Sequence, residues 1–255
     1  MKTIVVPTRF NPSSENAMIA GASLARKTGA TLILMNAVAP DNSDLNEARQ
    51  QMNNLKNSEK LLGINVQTTI VNGLLSEHLH DDSPDLIVIG AHEMTSILDF
   101  LFKKNTAKEI RKHAYCPVIT VNSPFDLGYI NQIVFPTDMS GEQSQIIEDI
   151  KEFQAIFEAH IHLIKSYRNQ ILKSTDIEKS LIDFAEKHGL IDYSVTARFN
   201  MDEASGILKF AIERNADIIV MATHNRLGIE RLLTRFISSK VIKGSETAVW
   251  TKLIH

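Results

Sequence analysis

The chain has 255 residues, 44% hydrophobic and 22% charged, an ordinary soluble composition with room for two domains that each bury a core. Its net charge of −3 offers no general attraction to nucleic acid or anionic membranes. One cysteine excludes an intrachain disulfide framework and a multi-cysteine metal site. Cys116 opens an apolar run beside Pro117 and reads as a buried small hydrophobe. No apolar run reaches the roughly 18 residues of a membrane span. The N-terminus runs from Met1-Lys2 into a short strand ended by Pro7, which does not read as a signal peptide, so a cytoplasmic protein is expected.

Residues 3–6 are apolar and β-branched and predict a buried strand. Ser13 and Ser14 offer N-caps for a helix whose apolar stripe runs through Ala17, Ala20, Leu24 and Ala25 to a stop at Gly29. Strands follow at 31–38, 65–71, 85–90 and 117–121. Between them fall a polar helix at 44–62, a short helix around 74–80 and another at 105–114. Ser123-Pro124, Asp126 and Gly128 mark a linker at about 123–130. Further strands are predicted near 132–136, 160–165, 191–197, 217–222 and 247–252, with helices near 140–158, 172–188, 202–214 and 229–243. Ile146, Ile150, Phe153 and Phe157 share one helix face and read as core. Alternating helices and continuously apolar strands point to parallel sheets covered on both faces, wound in both directions.

The chain says the same thing twice. Ile4-Val5-Val6-Pro7-Thr8-Arg9-Phe10 returns as Ile133-Val134-Phe135-Pro136-Thr137-Asp138-Met139, an offset of 129. Asp85-Leu86-Ile87-Val88-Ile89-Gly90-Ala91-His92 returns as Asp217-Ile218-Ile219-Val220-Met221-Ala222-Thr223-His224, an offset of 132. Cys116-Pro117-Val118 returns as Thr247-Ala248-Val249, an offset of 131. A period this long is a whole domain, not a solenoid unit. The chain is read as a tandem duplication, with domains at 1–122 and 131–255.

In open parallel sheets ligands sit at the carboxyl ends of the strands, where the strand order switches. The loops after the first and fourth strands should meet there. The residues at those loops carry a likeness. Val220-Met221-Ala222-Thr223-His224-Asn225-Arg226-Leu227-Gly228, the opening Val5-Val6-Pro7-Thr8 and the closing Cys116-Pro117-Val118 resemble the universal stress protein family. The resemblance covers both repeats. It implies two doubly wound α/β domains of the adenine nucleotide alpha hydrolase-like, Rossmann-like kind. It also implies that the fifth strands, 117–121 and 247–252, pair across a pseudo-twofold axis, and it makes a homo-oligomer the expected assembly.

Family members that bind ATP carry Gly-x2-Gly-x9-Gly-(Ser/Thr) after the fourth strand and an Asp after the first. In the first repeat those slots hold Gly90, Glu93, Lys103 and Lys104, with Arg9 at the Asp slot. One extra residue between His92 and Pro117 offers Lys104 and Asn105 as the alternative for the last two. In the second repeat they hold Ala222, Asn225, Arg235 and Phe236, with Asp138 retained. Glu93 sets a carboxylate where a triphosphate would lie. Lys103 and Lys104 are mobile point charges, not an oriented backbone cradle. Asn225 tolerates a left-handed backbone, but Arg235-Phe236 is bulky where close approach is needed.

His92 and His224 occupy matching positions, and neither has a second histidine or carboxylate spaced to join it, so backbone hydrogen bonding is the favoured role. Lys103, Lys104, Lys108, Arg111 and Lys112 read as a solvated helix face, and Asp81-Asp82 before Ser83-Pro84 as a turn. Three readings stay open: a regulatory stress-response binding protein with degenerate ATP loops and no cofactor; a weak ATP or AMP binder through the second repeat, with slow hydrolysis not excluded; and a ligand-free dimerisation scaffold. The first is the expectation, with no enzymatic activity.

Overall fold

The structure is a computed structural model. It describes residues 1–41, 43–73, 78, 84–91, 116–168, 173–200, 202–224 and 240–254. The chain divides into two compact units, Met1–Gly128 and Tyr129–His255. In the first, β1 (Thr3–Pro7), β2 (Thr31–Val38), β3 (Val66–Asn72), β4 (Leu86–Gly90) and β5 (Val118–Val121) form a parallel sheet in the order β3-β2-β1-β4-β5. Helices α1 (Pro12–Thr28) and α2 (Leu45–Lys56) and a 3-10 turn at Glu59–Leu61 connect the first three strands. Every residue of β4 is buried, as its unbroken apolar run requires.

The second unit repeats the plan. Strands β6 (Gln132–Pro136), β7 (His160–Tyr167), β8 (Tyr193–Phe199), β9 (Ile218–His224) and β10 (Ala248–Ile254) pair in parallel in the order β8-β7-β6-β9-β10. Helices α3 (Ile147–Phe157), α4 (Ser174–Lys187) and α5 (Glu203–Glu213) link them, and residues 240–244 are helical before β10. Ile146, Ile150, Phe153 and Phe157 are all buried, as the stripe predicted. In both units the strand order reverses beside the first strand, the doubly wound arrangement expected from the alternation.

One carboxylate sets the entry to each sheet. Asp85 Oδ2 accepts from the amides of Lys2 and Thr3, and Asp217 Oδ2 accepts from those of Asn131 and Gln132. The repeated aspartate ahead of the fourth strand is thus a clamp on the first strand. It satisfies amides that lie at the start of the ladder.

Four local expectations are corrected. Helix α1 is capped by Asn11, not Ser13 or Ser14: Asn11 Oδ1 accepts from the Ser14 amide at 2.9 Å, while Ser14 Oγ takes the Asn11 amide at 3.2 Å. This reciprocal box with Pro12 behind it fixes the start. The 44–62 helix breaks at Asn57 and resumes only as the 3-10 turn. The 140–158 helix begins as a 3-10 segment, Gly141–Ile146, and becomes α-helical at Ile147. Cys116 is half-buried, and its thiol lies 3.4 Å from the Pro117 carbonyl. The helix near 105–114, nearly all of that near 74–80 and most of that near 229–243 lie outside the described residues.

Candidate functional site

At the carboxyl end of β1, Thr8 is buried, and its amide donates to the Met35 carbonyl at 2.8 Å. Phe10 stands at φ 57 and donates its amide to Thr8 Oγ1 at 3.2 Å. The amides of Arg9 and Asn11 both point to Ser14 Oγ, at 3.3 and 3.2 Å. Asn36 Nδ2 ties the turn to β2 through the Thr8 carbonyl at 2.8 Å. Four successive amides of this loop, from Thr8 to Asn11, are therefore spent internally. Arg9 is exposed, and its guanidinium has no hydrogen bond or ion pair with a described residue.

Gly90, the first loop slot, ends β4 directly against this turn. A Cβ there would meet Ser13 Oγ at 2.2 Å and the Ser13 carbonyl oxygen at 2.3 Å. The end of β4 thus packs on the first turn of α1 through Gly90, while the loop beyond Ala91 lies outside the described residues. An open cleft of about 690 Å³ lies beside the turn after β1, bounded by the ends of β1 and β2, the turn into α2 and Gly73. Arg9, Asp44 and Glu47 give it charge, while Phe10, Val38 and Ala48 give it apolar wall. Asp44 Oδ1 accepts from the Ala39 amide at 3.0 Å, and Glu47 Oε1 from Gln51 Nε2 at 3.0 Å. Sequence reading missed Asn36, Asp44 and Glu47. The rule that ligands gather at strand carboxyl ends applies to β2 as well as β1 and was the available signal.

The second repeat keeps the same turn with different side chains. Thr137 is buried, its amide donates to the Ile164 carbonyl at 3.0 Å, and its hydroxyl donates to Gln143 Oε1. Met139 stands at φ 62, matching Phe10. Asp138 is exposed, and its Oδ1 accepts from the Ser140 amide at 2.9 Å. Lys165 takes the place of Asn36, and Ala222 is buried near the end of β9. His224 ends β9. Glu93, Lys103, Lys104, Asn105, Asn225, Arg235, Phe236, His92, the basic stretch to Lys112 and the Asp81–Ser83 turn lie outside the described residues. Among the described residues, no group of His, Cys, Asp and Glu could hold a metal ion, and no helix is long and apolar enough to cross a membrane.

At the opposite end of the second sheet, His162 is buried between Ser194 Oγ on Nδ1 and Gln132 Oε1 on Nε2, both at 2.7 Å. Burial, then the charges of His160 and Arg214, hold its pKa down at about 4. Both ring nitrogens are occupied, so this histidine is a neutral packing element at the amino end of the strands.

A universal stress protein from Archaeoglobus fulgidus DSM 4304 matches this structure with TM-score 0.73 at 12% identity, over 99% of this chain and 96% of its own. A functionally unknown protein from Pseudomonas aeruginosa PAO1 matches with TM-score 0.61 at 16% identity, over 100% and 93%. At such identities the likeness speaks for the fold. No curated protein matches this sequence. The sequence pattern of the universal stress protein family is found twice, over residues 1–122 and over 130–251. Two matches in one order, one over each unit, account for nearly the whole chain: it belongs to the universal stress protein family, in the tandem, two-domain form.

Proposed function

We propose that this chain is a regulatory, stress-response binding protein, not an enzyme, and that the ATP-binding loops of both repeats are degenerate. The observation that carries the reading is Arg9. A guanidinium with no partner among the described residues stands at the cleft where family ATP binders hold an aspartate, and the amides around it are already bonded within the turn. Gly90 supports the same view, since its packing against Ser13 gives the glycine a reason unconnected with phosphate. Glu93, Lys103 and Lys104, or Lys104 and Asn105, complete the altered loop of the first repeat. Calorimetric titration of the full chain with ATP tests this. No micromolar binding is expected; micromolar binding lost on Arg9→Ala would overturn it.

Asp138 favours a second reading, in which weak ATP or AMP binding survives in the second repeat. Its carboxylate is exposed and only Oδ1 is engaged among described residues. Asn225, Arg235 and Phe236 would supply a poor phosphate loop beside Ala222. Binding abolished by Asp138→Ala and indifferent to Arg9→Ala would select this reading.

The domains are placed at 1–122 and 131–255, joined by 123–130, a division supported by the break between compact units after Gly128. Residues 117–121 and 247–252 are proposed to pair the domains, supported by β5 and β10 each standing last in the strand order of its own unit, since an apolar strand left unpaired there would invite aggregation. A Thr120→Cys, Thr251→Cys pair in a Cys116→Ala background should then form an intrachain disulfide. Its absence under oxidation would remove the proposal. In this reading the protein works in the cytoplasm as a homo-oligomer, without nucleic acid or membrane.

A further inference from the structure

We propose that the cleft of the first repeat binds a small organic acid: one negative charge carried on an apolar body. The inference rests on the reading that this repeat has left ATP. The cleft's volume of about 690 Å³ falls within the roughly 300–1,000 Å³ typical of small-molecule sites. Its floor and wall include Phe10, Val38 and Ala48, which favour an apolar body.

The polar groups define the head. The amides of Thr8, Arg9, Phe10 and Asn11 are bonded to Met35, Ser14 and Thr8, so no backbone nest remains on this turn for an anion. Anion recognition therefore falls to the Arg9 guanidinium, which lines the cleft and has no partner among the described residues. A planar, permanently charged fork suits a carboxylate bidentately.

The same lining limits the ligand's charge. Asp44 and Glu47 bring two carboxylates to the cleft. Each accepts a local hydrogen bond, Asp44 from the Ala39 amide and Glu47 from Gln51, and among the described residues neither forms an ion pair with Arg9. A triphosphate would meet both of them with several charges of the same sign, whereas a monoanion can face Arg9 and turn its apolar end away. The two acids at the start of α2 thus disfavour polyphosphates, and the single guanidinium at position 9 leaves a place for one negative charge at most.

The test is calorimetric titration of the full chain with 2-naphthoate and its neutral analogue 2-naphthamide. The carboxylate is expected to bind about tenfold tighter, since one charge-assisted pair distinguishes the two. Arg9→Gln should erase that preference and Arg9→Lys should keep part of it. Arg9 is exposed, so the variants should fold, and circular dichroism checks this. Equal binding of the two probes, no binding of 2-naphthoate, or a preference that persists in Arg9→Gln overturns the proposal. Micromolar ATP binding dependent on Arg9 would instead sink the reading beneath it, so the two failures are distinguishable.

Discussion

Gly90 and His162 show how single residues settle which explanation of a motif is physical. At Gly90 the obstruction to a Cβ is the Ser13 carbonyl oxygen as well as its hydroxyl, so a side-chain rotation cannot relieve it. Gly90→Ala must push the N-terminus of α1 off β4, an overpacking change that costs about 1–3 kcal/mol. Urea denaturation should show that loss, and a change below about 0.5 kcal/mol would mean that the turn yields freely and packing is not the reason for the glycine. His162 bears on pH. Its folded pKa, about 4, lies below the ordinary 6.5, because burial and then the nearby His160 and Arg214 disfavour the charged ring. Between pH 6.5 and 4 the unfolded chain takes up a proton that the folded chain refuses. Stability is therefore complete above about pH 6.5 and falls as pH drops through that window, by roughly 3 kcal/mol at most. His188, also lowered by burial, adds to the same trend. Denaturation midpoints at pH 7, 5.5 and 4 should fall in sequence, and His162→Gln should flatten most of the slope. An unchanged slope in that variant would move the effect to other groups.

The two repeats differ most in how their first helix begins. Asn11-Pro12-Ser13-Ser14 makes a capping box with proline at the first helical position, and α1 starts at Pro12. The matching Ser140-Gly141-Glu142-Gln143 has neither device: the Ser140 hydroxyl makes no cap and is buried with no partner among the described residues, and the chain runs as a 3-10 segment to Ile146. Position 12 was the legible clue, since a proline there sets the cap one residue earlier, at Asn11 and not at Ser13 or Ser14. The strands were legible because their apolar runs are continuous. The left-handed turns at Phe10 and Met139 were not, because no glycine announces them and side-chain bonds to Thr8 and Thr137 hold them instead. Gly141 offers an experiment at this scale. Its surroundings are open, and Ser140 is extended at ψ 151, the conformation that a following proline prefers. Gly141→Pro should stabilise the protein by about 0.4–1 kcal/mol by restricting the unfolded chain. A lower melting temperature would show that the 3-10 start has a purpose that the helical one lacks.

At the scale of the whole chain, the duplication lets each repeat serve as a control for the other. Both keep the strand-entry clamp, Asp85 or Asp217, and the buried threonine, Thr8 or Thr137, so these belong to the fold. They part at Arg9 against Asp138 and at Gly90 against Ala222, and there the site must be explained. Sequence exposed that departure slot by slot. No motif spells out the cleft itself, because Asn36, Asp44 and Glu47 come from other elements and line it with Arg9 only through folding; the strand-end rule gave its place but not these residues. The departure also gives a constructive test. In the second repeat Asp138 is in place and exposed, so the loop after β9 is the component to rebuild. Ala222→Gly, Asn225→Gly, Arg235→Gly and Phe236→Ser together restore the family pattern. Each recovered charge-assisted bond is worth roughly 1.5–3 kcal/mol, so two of them correspond to about two to four decades of affinity. Calorimetry should then show ATP binding created or strengthened by that margin, and Asp138→Ala added to the rebuilt loop should weaken it. If the four-residue variant folds and binds ATP no better than the parent chain, loop chemistry is not what separates this protein from the ATP-binding members of its family, and the barrier lies elsewhere in the second repeat.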